Sequence, residues 1–272
     1  MPINADYHLH SSFSGDSEAP MEEMILKGIE LGLTKMCFTE HNDFDYPATP
    51  EFPEGFFELN PDSYIYDFLK YKEKYAQQIE LCLGVELGMQ PHLSKINAAF
   101  VKAHDYDFVI ASSHLCNGKD PAFPEFYEGK GQQKGYLEYF QSILDNLKAY
   151  SNFDVYGHLD YVVRYGPGKD EGYSYAQYRD VIDAILKRII SLGKGIEINT
   201  KGLSCGLREA NPCNDIIRRY KELGGEIITV GSDAHAPNGI AAHFERAADI
   251  LKECGFDYYC TFKDRTPDFH KL

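Results

Sequence analysis

The stretch ADYHLHSSFSGDSE, residues 5–18, sets His8 and His10 one residue apart at the end of a short apolar run, with Asp16 six positions further on. On a β-strand, side chains at i and i+2 point to the same side, so the two imidazoles converge on one point. Such a pair is a natural start for a first-row transition-metal site. Taken alone, HxH is more often two polar residues finishing a strand. The rest of the chain decides, because the same arrangement recurs.

Seven short runs are apolar or β-branched and bounded by turn-formers: INADYHLH (3–10), TKMCFTEHND (34–43), IELCLGVELG (79–88), YDFVIASSHL (106–115), FDVYGHLDYV (153–162), KGIEINTKGL (194–203) and EIITVGSDAH (226–235). Each reads as a buried strand. Between them, apolar residues recur at helical spacing over 21–33, 62–79, 135–150, 175–193 and 214–225, with weaker patterns at 91–105 and 240–254. Glycines after several of these stretches act as helix stops. Alternating strands and helices imply parallel strands with right-handed crossovers, and seven units suggest a barrel rather than an open sheet.

The ionisable residues fix the face. His8/His10, Glu40/His41, Glu86, His114, His158/Asp160, Glu197 and Asp233/His235 all fall at or just past the C-terminal end of a run. In a β/α barrel those ends form the active face. The longest interruption, residues 44–64, carries four prolines and several aromatics. It reads as an ordered loop over that face, a lid spanning 42–64.

Composition narrows the function. Hydrophobic residues make up 43% of the 272, enough for a substantial core, and no apolar window is long enough to span a bilayer. The N-terminus has no basic n-region followed by an apolar one, so no signal peptide is expected. Seven cysteines without a CxxC pair suit reduced thiols and a cytoplasmic location. A net charge of −15 repels phosphate backbones and anionic lipid, so neither nucleic acid nor membrane is an expected partner. The sequence assigns no oligomeric state.

Glu86 follows LCLGV, where an unpaired carboxylate would be costly to bury. GSDAH sets Asp233 and His235 two apart, mirroring His8 and His10. Six of the ten histidines stand at run ends; His92, His104, His243 and His270 do not and are read as surface or packing residues. Imidazole and carboxylate without thiolate suit zinc, manganese or iron. So many ligands exceed one ion and fit two or three bridged by carboxylate.

In order, HLH…D, TEH, GVELG, SSHL, GHLD and GSDAH resemble the four-motif pattern of the polymerase-and-histidinol-phosphatase (PHP) family, from Asp6 to about His235. VELG, DFVIASSHL, GHLDYVVRYG and EINTKGL look most like its stand-alone L-histidinol-phosphate phosphatases. The resemblance implies a single-domain, TIM-barrel-like distorted (β/α)7 fold over 1–272. It also implies three metals. His8, His10, Glu86 and Asp233 would hold the first. Glu86 would bridge to a second held by His114 and His158, and Asp16, His41 and His235 would hold a third. Some members carry histidine at the position of Asp16. A turn or helix-cap role is the alternative for Asp16.

Clustered ions lower the pKa of bound water and neutralise charge on a transferring phosphoryl group. The expected reaction is direct hydrolysis of a small phosphate monoester. Glu86 and Asp233 are expected in the catalytic cluster, and His235, Asp160 or a metal-bound water is a candidate proton donor to the leaving group, Asp160 alternatively orienting a ligand histidine. Arg164, six residues beyond His158, offers a planar fork for phosphate. Lys201 and Arg208 are further phosphate candidates. Glu197 and Asn199, on one strand face, are expected behind the ligands or at the substrate.

Overall fold

Parallel strands covered on both faces need nearly continuous apolar sequence, and the seven runs supply it. The computed structural model describes residues 3–272. All seven runs become strands of one parallel sheet: β1 (Ala5–Leu9), β2 (Lys35–Asn42), β3 (Glu80–Gly88), β4 (Phe108–Ser112), β5 (Val155–Tyr156), β6 (Gly195–Asn199) and β7 (Ile228–Gly231), neighbouring in chain order. Eight helices lie between and after them: α1 (Met21–Glu30), α2 (Pro61–Tyr75), α3 (Ser94–Lys102), α4 (Gly131–Ala149), α5 (Arg179–Ser191), α6 (Lys201–Ser204), α7 (Asn214–Glu222) and α8 (Phe244–Glu253). In α5, Ile182, Ile185, Leu186 and Ile189 form the buried face, at the i, i+3, i+4, i+7 spacing visible in the sequence.

The sheet curls until β7 meets β1. No continuous ladder joins them; the seam is closed by single contacts. The His10 N–H donates to the Ala234 carbonyl (2.9 Å) and the Asp233 N–H to that of His8 (2.7 Å). The buried Asp6 carboxylate accepts from the Ser232 and Ala241 N–H groups, each at 3.0 Å. Burial raises the pKa of Asp6 to about 6, against these hydrogen bonds. Between Asp6 and Leu9 the β1–β2 register slips by one residue, a bulge in the part of β1 that carries His8.

Several expected helices end early. The 21–33 pattern stops at Glu30, where Gly32 turns at φ +77° and the Leu33 N–H returns to the Gly28 carbonyl. The 62–79 pattern starts one residue sooner, because the Asn60 side chain caps it and Pro61 fits the first turn, and stops at Tyr75. The 91–105 pattern is a 3₁₀ turn, Pro91–Leu93, followed by α3.

An antiparallel hairpin, β8 (Tyr258–Lys263) and β9 (Thr266–Lys271), has no counterpart in the sequence reading. Its two-residue turn, Asp264-Arg265, puts both residues at positive φ without the usual Asn-Gly signature. The hairpin packs on the N-terminal ends of the barrel strands. Tyr7, from β1, donates its hydroxyl to the Phe262 carbonyl (2.7 Å), and Phe262 packs against Phe108 with the rings tilted. Arg265 ion-pairs with the buried Asp154, which also accepts from the Val109 N–H. One mouth of the barrel is thus plugged, leaving the other for chemistry. No helix among the described residues is long and apolar enough to cross a membrane.

Removing Arg265 strands the Asp154 carboxylate in a mostly dry setting. Arg265→Ala should lower unfolding stability by roughly 1–3 kcal/mol, the cost of an unpaired buried group. Urea unfolding checks the loss, and metal content measured below the transition should not change, because the pair lies at the opposite end from the histidines.

Candidate metal centre

Glu86 sits one turn of the strand pleat before the end of β3 and is fully buried. Its two oxygens face different groups. Oε1 lies 2.8 Å from His158 Nε2 and 3.2 Å from His114 Nε2. Oε2 lies 3.2 Å from His8 Nε2, 3.4 Å from His10 Nε2 and 3.1 Å from His41 Nδ1. Asp233 Oδ1 is 3.7 Å from His10 and 3.9 Å from His8. Asp16 lies at the edge, 3.1 Å from His235 Nε2 and 3.6 Å from His41 Nε2. All nine residues expected as ligands therefore meet at one mouth of the barrel.

The donor atoms fit several divalent ions. Four overlapping sets lie within 4.8 Å: His8, His10 and Asp233; His8, Glu86 and His158; His41, Glu86 and His114; His10, His41 and His235. Nε2 of His8 and Nε2 of His10 are 3.1 Å apart. The outer nitrogen of each ring is already engaged. His8 Nδ1 is held by Glu197 Oε1 (2.6 Å) and His10 Nδ1 by Ser14 Oγ (3.0 Å). Ionised carboxylates only accept, so His8 carries its proton on Nδ1. Ser14 spends its own proton on Glu40 (2.6 Å), so it too accepts from His10. The two inner nitrogens point into the cluster, and against burial Glu197, Glu86 and Asp233 raise the pKa of His8, so this spot attracts positive charge. Glu86 Oε2 and His41 Nδ1 are buried without a hydrogen-bond partner, a second sign of the same kind.

Charge agrees. Burial opposes ionisation of Glu86, but His8, His114 and His41 hold its pKa well below the usual carboxylate range. Asp233 is likewise lowered against burial, by His8 and Arg164, and Asp16 by His41 and His235. Burial and the neighbouring His41 and His235 hold His10 well below its ordinary pKa, which keeps it neutral and able to ligate.

Local backbone explains the glycine in GSDAH. A Cβ on Gly231 would run into the His8 and Glu197 side chains, so only glycine lets β7 pass behind the cluster. Asp233 follows at φ +55°, the left-handed region that aspartate tolerates better than most residues.

The centre forms the floor of a cavity of about 410 Å³. Tyr46, Phe52 and Phe57 from the loop after β2 wall one side, with Asp120 and Phe123 from the loop after β4. Arg164, from the turn after β5, and Lys201, at the start of α6 after β6, bring positive charge to the cavity.

The PHP domain family matches residues 6–201. A histidinol-phosphatase of Lactococcus lactis subsp. lactis is 32% identical over 268 residues, covering 98% of this chain and 97% of its own. The chain belongs to the PHP domain family. A probable histidinol-phosphatase of Clostridium acetobutylicum is 33% identical over 252 residues, 92% of this chain and 93% of its own. The crystal structure of the L. lactis histidinol phosphate phosphatase, complexed with zinc, L-histidinol and phosphate, matches with a TM-score of 0.88 at 31% identity, covering 97% of this chain and 98% of that one. A putative histidinol phosphatase from Listeria monocytogenes shares the fold, with a TM-score of 0.74 at 20% identity over 89% of this chain and 99% of that one.

Behind the PHP cluster, Glu197 and Asn199 take the first of their two expected places, behind the ligands, while the roles expected of Asp160 and Arg208 need correction. Glu197 does not reach the cavity: it holds His8 Nδ1 and, through Oε2, accepts from the His158 N–H (2.9 Å). Asn199 is also buried, donating to Glu197 and Asp233 and accepting from Arg164. Asp160 touches no histidine side chain. It accepts from Asn211 (2.6 Å), the Cys213 N–H (2.9 Å) and Tyr173 (3.0 Å), and burial raises its pKa to about 6. Arg208 lies exposed in a separate cleft, paired with Asp170. Arg164 does line the cavity, but its guanidinium is held by Asp233, Asn199 and Asn211, each at 2.8 Å.

Two short patterns usually tied to covalent catalysis stand away from this centre. GLSCG (202–206) puts Ser204 exposed at the end of α6 rather than on a strand-to-helix elbow. Cys213 and Arg219 have CX5R spacing, but Cys213 packs by Tyr173 while Arg219 pairs with Asp183.

Sequence reading set Glu40 on this face without a role and missed two further supports, Asp43 and Ser112. Asp43 accepts from His114 Nδ1 (2.7 Å), Ser112 donates to Glu86 (2.6 Å), and Glu40 takes the Ser11 and Ser14 hydroxyls. Burial lifts the pKa of Glu40 to about 7, those hydrogen bonds opposing. Asp43 was findable, since it stands two residues beyond His41. Loss of such a carboxylate behind a ligand typically costs roughly 10–100-fold in metal affinity. Asp43→Ala should show a loss of that order in metal titrations, with the far-UV spectrum retained. Glu86→Gln should remove more than one ion per chain, read by elemental analysis, because both oxygens face the cluster.

Proposed function

We propose that this chain hydrolyses L-histidinol phosphate to L-histidinol and inorganic phosphate, using two to three divalent ions of zinc, manganese or iron. The observation that carries the reading is the Glu86-centred cluster at the cavity floor, in a chain matching nearly end to end a relative solved with zinc, L-histidinol and phosphate. The setting of the proposal is one cytoplasmic phosphoesterase domain, 1–272, with residues 42–64 as its lid. With a charge of −15, nucleic acid and anionic membranes lie outside it.

Within this reading His8, His10, Glu86 and Asp233 would hold one ion, Glu86, His114 and His158 a second, and Asp16, His41 and His235 a third. Glu86 would serve both of the first two, since Oε2 faces His8 and His10 while Oε1 faces His114 and His158. Divalent ions bound there supply Lewis-acid charge and an activated water at neutral pH. The chain's own part is orientation. Glu197 and Asp43 each fix an imidazole through its outer nitrogen, and Glu40 does so through Ser14. Arg164 spends three of its five N–H groups on Asp233, Asn199 and Asn211, leaving one on each terminal nitrogen for a phosphoryl oxygen. Lys201 donates to the Asp233 carbonyl (3.1 Å) and adds positive charge at the same side. Asp160, held behind Asn211, has no path to the leaving group.

Chelation should abolish turnover of L-histidinol phosphate, and Mn²⁺, Zn²⁺ or Fe²⁺ should restore it. In a panel with phosphotyrosine and sugar phosphates, L-histidinol phosphate should give the highest kcat/KM. Full activity of demonstrably metal-free protein, or a clear preference for another ester, would refute the proposal. Asp16→Ala should lower the metal count by about one ion per chain, and Asp16→His should recover much of it, imidazole being an equally competent ligand. Unchanged metal content with lowered thermal stability would instead make Asp16 a turn residue.

A further inference from the structure

Asp160 is buried beside the cavity, yet it touches no ligand side chain. Burying a carboxylate is costly unless its oxygens are filled by donors. Among the described residues no cation pairs with it. Its Oδ1 accepts from Asn211 Nδ2 (2.6 Å), and its Oδ2 accepts from the Cys213 N–H (2.9 Å) and the Tyr173 hydroxyl (3.0 Å).

Asn211 turns its other end to Arg164, whose Nε donates to Asn211 Oδ1 at 2.8 Å. Arginine only donates, so the amide atom there has to be the oxygen, and the amide nitrogen is left facing Asp160. That makes Asp160 Oδ1 an acceptor, and the Cys213 N–H makes Oδ2 one as well. Both oxygens are needed, and one of them is joined to Arg164 through a single amide.

The amide has a fixed seat. Main-chain bonds in both directions, 2.7 and 2.9 Å, join Asn211 to Asn199. A Cβ on Gly202 would strike Asn211 Oδ1, so glycine in α6 leaves room for that oxygen. Arg164 is held at three points: Asp233 and Asn199 take its terminal nitrogens and Asn211 its Nε. The two terminal bonds alone let the planar fork rock about the line between them. The bond on Nε stops that motion and sets where the two remaining N–H groups point.

We infer that Asp160 is a positioning residue for phosphate recognition: acting through Asn211, it holds the Arg164 fork in the plane that receives a phosphoryl oxygen. The inference rests on the phosphatase reading above and goes beyond it by naming what aims Arg164. It also gives a reason for aspartate at this position, since asparagine has one acceptor oxygen where two are required. An asparagine oxygen kept on the Cys213 N–H would set two NH2 groups against each other at Asn211. Turning the Asn211 amide over relieves that clash and takes the acceptor away from Arg164.

The test is binding of inorganic phosphate to metal-loaded protein, followed by calorimetry. Asp160→Asn should weaken it by roughly tenfold or more, the scale of one hydrogen bond to a charged group. KM for L-histidinol phosphate should rise in step, with the metal count per chain unchanged. In an Arg164→Ala background, Asp160→Asn should cost phosphate binding nothing further, because the two residues act on one contact. The double variant Asp160→Asn/Asn211→Asp refills every bond: the new carboxylate accepts from Arg164 and from the new amide, whose oxygen accepts from the Cys213 N–H. It should recover most of the affinity. Asn211→Ala cuts the same path from the other side and should match the loss, which keeps the test decisive if Asp160→Asn folds poorly. Unchanged phosphate affinity, a parallel loss of metal, a further loss in the Arg164→Ala background or a double variant no better than Asp160→Asn would each overturn the role of Asp160. Wild-type protein that binds phosphate but turns over no phosphate ester would overturn the phosphatase reading instead, and the binding comparison would still stand.

Discussion

One fully buried carboxylate, Glu86, stands within 3.4 Å of five imidazole rings, and most of the molecule can be understood as what that placement demands. A lone carboxylate at that depth would cost several kcal/mol or shift to its neutral form. Rings around it offset that cost by bringing positive charge to it. Ligating a shared cation through the inner nitrogen of a ring calls for an acceptor on the outer one. Glu197, Asp43 and the Glu40–Ser14 pair supply it.

The barrel makes the convergence geometrically possible. Strand ends that are far apart in the chain become neighbours around one rim, and parallel strands deliver all of them to the same side. The opposite rim has no such chemistry and is closed by the β8–β9 hairpin. The seam between β1 and β7 lies directly under His8, His10 and Asp233. Its main-chain bonds, from His10 to Ala234 and from Asp233 to His8, join the two strands that carry those three ligands. Closing the barrel and assembling that part of the cluster are one event.

Above the floor, the loops divide the work. The side toward β5–β7 carries Arg164, Lys201 and Asp233, tied into one hydrogen-bonded unit with Asn199 and Asn211. The side toward β2–β4 carries rings and Asp120.

The sequence by itself determined the seven strands, their parallel order and eight of the nine converging residues; Asp16, in the loop after His10, joined them only through the resemblance to the PHP family. Apolar runs of that length have few other places to go, and imidazoles repeatedly set at their ends have little reason to be there except a shared ligand. Only the tertiary structure decided what stands behind and above them. Glu197 was legible as a strand-end acid, but its turn toward His8 depends on β6 and β1 being brought close by the seam. Asp160 and Arg208 lie near the right strands in sequence, yet one points behind Asn211 and the other outward to Asp170, because short loops leaving a barrel diverge within a few residues. The closing hairpin, turned at Asp264-Arg265, lacks the usual turn residues, since packing against the barrel floor rather than local propensity holds it. Asp120 and Tyr46 meet from segments 74 positions apart. No periodicity links two loops, so their meeting is set by the strands that carry them.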